Sequence, residues 1–385
     1  MLVERSLPTP EANDLLDMVR EFVGKELAPR VAADEENDAF PRDVFTLLGR
    51  SGLLGLPYPG EYGGGGQPYE VYLQVVEELA GGWLAVGLGL SVHTLSCFPV
   101  AEFGSDAQRA ALLPDMLGGE RLGAYCLSEA HSGSDAAAMS TRAEADGAGG
   151  YLLNGAKSWI THGGVADFYT LFARTGAADA KGKDITCFHI PADTAGVAAD
   201  PPERKMGMCS SPTAAVRFDA ARVDGAARIG AAGQGFPIAL AALDSGRLGI
   251  AACAVGVAQA ALDTAVGYAR ERRQFDRPIA EFQGVGFMLA DMATHIEAAR
   301  ELYLAAARRR DAGHPFGTQA AMAKLFATDT AMRVTTDAVQ VLGGYGYTRD
   351  FPVERLMREA KVLQIVEGTN QIQRLVIGRS LTRAV

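Results

Sequence analysis

The chain of 385 residues is poor in the side chains that build cross-links and metal centres. Its five cysteines (Cys97, Cys126, Cys187, Cys209 and Cys253) are odd in number and scattered, with no C-x-x-C pair. That excludes a disulfide framework and a zinc site. They read as small buried apolar residues in a reducing, cytoplasmic compartment. The six histidines are equally dispersed, so a histidine-based metal site is not expected. Basic charge is outnumbered: 36 Lys and Arg against 46 Asp and Glu leave a net charge of -10, which argues against a nucleic-acid partner. The opening Met1-Leu2-Val3-Glu4-Arg5-Ser6 lacks the basic-then-apolar pattern of a signal peptide. The most apolar stretch, residues 238–262, is broken by Asp244 and Arg247 and is read as falling short of a membrane span. What is present is ordinary globular composition, 48% hydrophobic and 21% charged, on a chain long enough for two or three domains.

Hydrophobic periodicity divides the chain into three parts. Residues 1–121 read as helices: Pro10-Glu11 is a start signal, and Leu15, Leu16, Val19, Phe22 and Val23 recur at helical spacing. Pro41 and Pro68 read as first-turn prolines, and Ser105-Asp106 caps a helix ending near Met116. The glycine-rich residues 60–67 predict a flexible exposed connector. Residues 122–234 switch to short β-prone runs (125–127, 151–153, 168–172, 185–190 and 214–218) with Asp146-Gly147, Asn154-Gly155 and Gly163-Gly164 between them. Residues 235–385 return to the helical period, with long amphipathic segments at 238–268, 282–310 and 318–342. The expected fold class is α+β multidomain: an N-terminal α-helical domain, a central β-barrel and a C-terminal four-helix bundle.

The most informative segment is Gln364-Ile365-Val366-Glu367-Gly368-Thr369-Asn370-Gln371-Ile372-Gln373-Arg374. One carboxylate, Glu367, precedes a glycine among small, amide and apolar side chains. Apolar surroundings raise a carboxylate's pKa towards neutrality and suit it to act as a base; a solvated helix end is the other reading. Residues 125–135, containing Tyr125, Leu127, Ser128, Gly133 and Ser134, form either a turn leaving a strand or a loop whose N–H groups approach phosphates or ring carbonyls. Trp159, followed by Ile160 and Thr161, is either barrel core or a ligand contact. Gln340-Val341-Leu342-Gly343-Gly344-Tyr345-Gly346 closes a helix with more glycines than a C-cap needs, and no βαβ unit surrounds it. Asp244 and Arg247, three apart on an apolar helix, form either an internal salt pair or a clamp on a polar ligand.

Taken in this order on an α/β/α-bundle chain, these segments resemble the FAD-dependent acyl-CoA dehydrogenases along essentially the whole sequence. The resemblance is carried by Tyr125-Cys126-Leu127-Ser128-Glu129 through Gly133-Ser134-Asp135, by Gln340 to Tyr347, and by Glu367-Gly368-Thr369 with Gln371-Ile372-Gln373-Arg374. Leu243 to Arg247 and Glu271-Arg272-Arg273-Gln274-Phe275 are similar to the short-chain members. It implies that Glu367 removes the α-proton of an acyl-CoA thioester while the β-hydrogen leaves as hydride to flavin N5, giving a trans-2-enoyl product. It also implies that Tyr125, Leu127, Ser128, Gly133, Ser134, Trp159, Ile160, Thr161, Thr369 and Gln371 hold the FAD of their own subunit. Arg272, Phe275, Gln283, Gln340, Val341, Gly343 and Gly344 are implied to reach a neighbouring subunit's FAD, in a homotetramer. Ser134, Asp244, Arg247 and Gly368 are implied to meet the substrate, and an electron-transfer flavoprotein is the implied acceptor.

This sequence departs from the family pattern at Ala130 and His131, where proline is usual first, at Ser128 in place of threonine, and at Arg358-Glu359 in place of Arg-Asp. Glycine at 246, where some relatives carry their base, leaves Glu367 as the candidate. The end at Val385 weighs against a membrane-associated very-long-chain type, so a short or short branched acyl group is favoured, with pocket depth set by residues 90–96 and 242–250. The alternatives are an acyl-CoA oxidase, an enzyme acting on a carrier-protein thioester, and a non-catalytic flavin- or DNA-binding relative.

Overall fold

The structure is a computed structural model and describes residues 5–176 and 182–382. Residues 1–4, which begin the N-terminal run read above, and Val385 lie outside them. The first helices are α1 (Pro10–Phe22), α2 (Val31–Glu36), α3 (Arg42–Arg50), α4 (Tyr69–Gly82), α5 (Leu84–Phe103) and α6 (Asp106–Gly118). Pro41 and Pro68 occupy the N-cap positions of α3 and α4, one residue earlier than expected. At α6 the Ser105 hydroxyl accepts from the Gln108 N–H while the Gln108 side chain accepts from the Ser105 N–H, a reciprocal capping box. Ser105→Ala is expected to lower stability by about 1 kcal/mol, read as the change in unfolding free energy in a denaturant titration.

Residues 60–67 are exposed as predicted but are not a loose connector. Gly65 and Gly66 donate to the carbonyls of Gly55 and Tyr58, and Gln67 to that of Leu56, folding the segment back onto residues 55–58.

The central part is one mixed eight-stranded sheet, with β1 (Gly123–Cys126), β2 (Arg142–Ala145), β3 (Gly150–Thr161), β4 (Phe168–Arg174), β5 (Ile185–Pro191), β6 (Val197–Ala199), β7 (Thr213–Asp224) and β8 (Arg228–Ile229). The pairing order is β6-β7-β3-β2-β4-β5-β8, with β1 parallel to β4, and among the described strands the path stays open between β6 and β8. On β4, Phe168 and Phe172 face Cys97 of α5 and Ile238, while Tyr169, Leu171 and Ala173 face Leu153, Val216 and Phe218 within the curl of the sheet. The strand is buried on both faces, hence its mostly apolar run, interrupted by Thr170 and closed by Arg174.

The chain then forms α7 (Gly235–Glu271), the short hairpin β9 (Arg273–Gln274) and β10 (Arg277–Pro278), α8 (Gln283–Asp311), α9 (Gly317–Leu342), α10 (Val353–Leu363) and α11 (Asn370–Thr382). α7 is the axis: α9 and α8 pack along it on one side and α4 and α5 on another, while α10 and α11 close over α9. α5 and α7 are, by length and composition, long and apolar enough to cross a membrane, contrary to the reading of residues 238–262. The most apolar windows of these two helices are 89% and 78% buried inside the protein, as expected of core helices.

Candidate active site

Glu367 lies in the turn between α10 and α11, with φ of 52°, followed by Gly368 at φ of 90°. Two consecutive left-handed residues, one bearing a side chain, need outside support. They aim the Glu367 side chain inward, where both carboxylate oxygens are buried and neither has a hydrogen-bond partner. The solvated helix-end reading is thereby set aside. Burial pushes the carboxyl up to about 7, against the charges of Lys324 and Arg247, which favour the anion. The carboxylate rests on Gly246 of α7: a Cβ built there would overlap Glu367 Oε2 and come within 3.2 Å of Leu95 Cδ1. A buried, unpartnered carboxylate whose ionisation is disfavoured by burial is poor structural material and a competent base.

Gly246 also lines a narrow cleft bounded by Tyr58, Tyr69, Ser91, Thr94, Leu95 and Phe98, with Ala242, Ser245 and Arg310 completing the wall. Parts of 90–96 and 242–250 do form its sides, joined by residues 57–58 and 69 that sequence reasoning passed over. The Tyr69 hydroxyl donates to the Ser245 carbonyl at 3.0 Å, and the Arg310 guanidinium sits over the Tyr69 ring at 3.9 Å. Asp244 and Arg247 are an ion pair at 2.6 Å, so the salt-pair reading holds. Even so, Arg247 Nε is buried without a partner.

The 125–134 loop and the end of β3 are joined. The Ser158 N–H donates to the Ser128 carbonyl at 2.9 Å, and Lys157 Nζ donates to the Leu127 carbonyl and to Glu129 Oε1. Glu129 also accepts the N–H groups of Ser140 and Thr141. Burial disfavours its ionisation, but Lys157 and these donors prevail and hold the carboxyl at about 2. A bulge between Lys157 and Ile160 rotates Trp159 outward, with φ of 63° and 62% exposure, which overturns the barrel-core reading. Ile160 by contrast is buried in the sheet core, so any ligand meets only its backbone. Gly133 and Ser134 are exposed on the loop, and Tyr125 stands half-buried below it with its hydroxyl on the Ala239 carbonyl. Burial first, then the charges of Cys187 and Glu367, push the Tyr125 phenol well up, which places Tyr125 within electrostatic reach of Glu367. An exposed indole face, the Ser128 and Thr161 hydroxyls and bare loop backbone are a donor set that fits a flavin ring.

Thr369 caps α11, its hydroxyl accepting from the Ile372 N–H at 3.3 Å, and Gln371 points to the surface. A second group gathers at the far end of the bundle: Arg272, Phe275, Gln283, Gln340, Gly343 and Gly344 are exposed, and Val341 is buried beneath them. Tyr268 and Tyr345, 6.3 Å apart, tie the end of α7 to the glycine turn. Among the described residues, no hydrogen bond or ring contact joins this group to Glu367 or to the 125–134 loop.

Sequence reasoning missed Lys324, and it read Asn370 only within a run of donors for a polar cofactor, whereas its side chain bonds to Lys324, Thr328 and Asp329. Lys324 is fully buried on α9 among Ala320, Ala321, Ala323 and Ala327, and donates to the Gly368 carbonyl at 3.0 Å and to Asn370 Oδ1 at 2.9 Å. The signal was there: a lone lysine at core spacing on an alanine-lined helix face.

Three family models match the chain: "Acyl-CoA dehydrogenase, N-terminal domain" over residues 9–120, "middle domain" over 124–221 and "C-terminal domain" over 233–382. An acyl-CoA dehydrogenase of Bacillus subtilis is 47% identical over 374 residues, covering 97% of this chain and 98% of its own. The solved butyryl-CoA dehydrogenase of Megasphaera elsdenii superposes with a TM-score of 0.96 at 40% identity, covering 99% of this chain and 100% of its own. A chain solved in work on the electron transferring flavoprotein of Acidaminococcus fermentans gives 0.96 at 42% identity, again covering 99% and 100%. Matched in all three parts and along nearly its full length, this chain belongs to the acyl-CoA dehydrogenase family and is an FAD-dependent oxidoreductase.

Proposed function

We propose that the protein dehydrogenates a short or short branched acyl-CoA to its trans-2-enoyl thioester, with Glu367 as the base. The carrying observation is the buried, donor-free Glu367 carboxylate seated on Gly246 at the wall of the cleft. A thioester α-proton is weakly acidic, so the base must be desolvated and the developing enolate stabilised. The first requirement is met by burial; for the second, the Glu367 backbone N–H is the assigned donor to the thioester carbonyl. Asp244, Arg247, Ser134 and Gly368 are assigned to the substrate's CoA portion. FAD, when bound, supplies the hydride acceptor, held by Tyr125, Leu127, Ser128, Gly133, Ser134, Trp159, Ile160 and Thr161, with Thr369 and Gln371. The division of labour follows residues 1–121, 122–234 and 235–385.

The likeness to the butyryl-CoA dehydrogenase of Megasphaera elsdenii supports a short acyl group. The exposed Phe275, Phe287 and Tyr347 support contact with another copy of the chain, as the homotetramer assignment requires. There Arg272, Phe275, Gln283, Gln340, Val341, Gly343 and Gly344 would face the second copy's cofactor. Electron-transfer flavoprotein is the assigned acceptor, and the cytoplasm the assigned compartment.

Anaerobic titration of the purified protein with acyl-CoAs from propionyl and isobutyryl to octanoyl is expected to bleach the flavin with the short members only. Bleaching by octanoyl-CoA alone would overturn the chain-length assignment, and bleaching by none of the panel would overturn the reaction.

A further inference from the structure

The left-handed turn that carries Glu367 is held from one side by a single buried cation. Lys324 donates to the Gly368 carbonyl at 3.0 Å and to Asn370 Oδ1 at 2.9 Å, fixing the residue after Glu367 and the first residue of α11 together. Asn370 is itself buried, its amide donating to Asp329 Oδ1 at 2.7 Å, and Gln373 Nε2 adds a second donor to the Gly368 carbonyl at 2.8 Å. The lysine makes no ion pair within 4 Å among the described residues. A lysine buried without an ion pair is costly and rarely kept for packing alone.

We propose that Lys324 is a positioning residue for the proton-abstracting carboxylate: it locks the Glu367-Gly368 turn over Gly246, and its charge favours the ionised base. This rests on Glu367 being the base. The groups facing Glu367 are Lys324 on α9, Arg247 and Cys253 on α7, Tyr69 and Tyr72 on α4, and Tyr125 on β1; those facing Lys324 are Glu367, Asp329 and Arg247. Only the two cations favour the carboxylate anion. Burial lowers Lys324 to about 7, with Glu367 and Asp329 opposing, so its charge is sensitive to this neighbourhood.

The test compares Lys324→Met, Lys324→Gln and Lys324→Arg in the FAD-loaded enzyme, reading kcat/KM against pH, flavin content and Tm. Removing a nearby positive charge raises the pKa of the base. In Lys324→Met and Lys324→Gln the acid limb is therefore expected to move to higher pH by about 0.5–1 unit, with kcat reduced about tenfold. Lys324→Arg keeps the charge and should return the limb to its wild-type position, with kcat only partly recovered. If Lys324→Met does not fold, Lys324→Gln, whose amide can still donate to the Gly368 carbonyl, carries the test. A lower Tm with an unshifted limb and wild-type kcat would overturn the proposal and leave a structural lysine. Failure of the base assignment shows elsewhere, as activity surviving in Glu367→Gln.

Discussion

Glu367→Gln is expected to yield yellow, folded protein whose rate of flavin reduction by substrate falls by about 10²–10⁴-fold, the usual contribution of a positioned general base. The amide preserves shape and polarity and removes only the capacity to accept the α-proton. Below its pKa the wild-type base is protonated and idle, so wild-type kcat/KM should fall as pH drops through about 7, and that limb should vanish in the variant. The variant's Tm should be unchanged or higher, because an unpartnered buried carboxylate is a cost that the neutral amide lessens. Stopped-flow reduction with a thermal melt on the same sample reads both. A wild-type rate would remove Glu367 from the mechanism.

The opposite signs of those effects explain which parts of the site could be read from the sequence. A functional carboxylate stands out where local chemistry is inconsistent with packing, as Glu367 does among amides and apolar residues. α7, α8 and α9 were legible because their apolar residues recur with a helical period over many turns. α5 falls within the residues read as helical, but its bounds were not legible: it is apolar on all sides, packs against α4, α7 and the sheet, and so carries no amphipathic signature. β2, β6 and β8 were missed because strands of two to four residues give too few alternations to register. Trp159 was undecided between core and surface because alternation along β3 fails at a bulge, and a bulge is a feature of pairing, not of sequence period. Lys324 escaped for a different reason. Its partners are a backbone carbonyl and an asparagine more than forty residues away, and no local pattern specifies either.

Gly246 is the position where packing and chemistry collide most directly, and Gly246→Ala should separate them. In a helix interior this change normally stabilises by about 1 kcal/mol. Here the added methyl overlaps Glu367 Oε2, and α7 is too tightly packed by α9, α4 and α5 to retreat. The mobile partner is the end of the Glu367 side chain, so the carboxylate moves and α7 stays. Displacing a base by about 1 Å costs on the order of 10²-fold in rate. The expected result is a folded, yellow variant with Tm within a few degrees of wild type and kcat/KM reduced about 10²-fold. Gly267→Ala is the internal control: it lies on the same helix with nothing within 4 Å of the new Cβ, and should raise stability without touching the rate. If Gly246→Ala retains the wild-type rate, the carboxylate does not work from the place it occupies above α7, and the productive geometry must lie in another arrangement of the 364–370 turn.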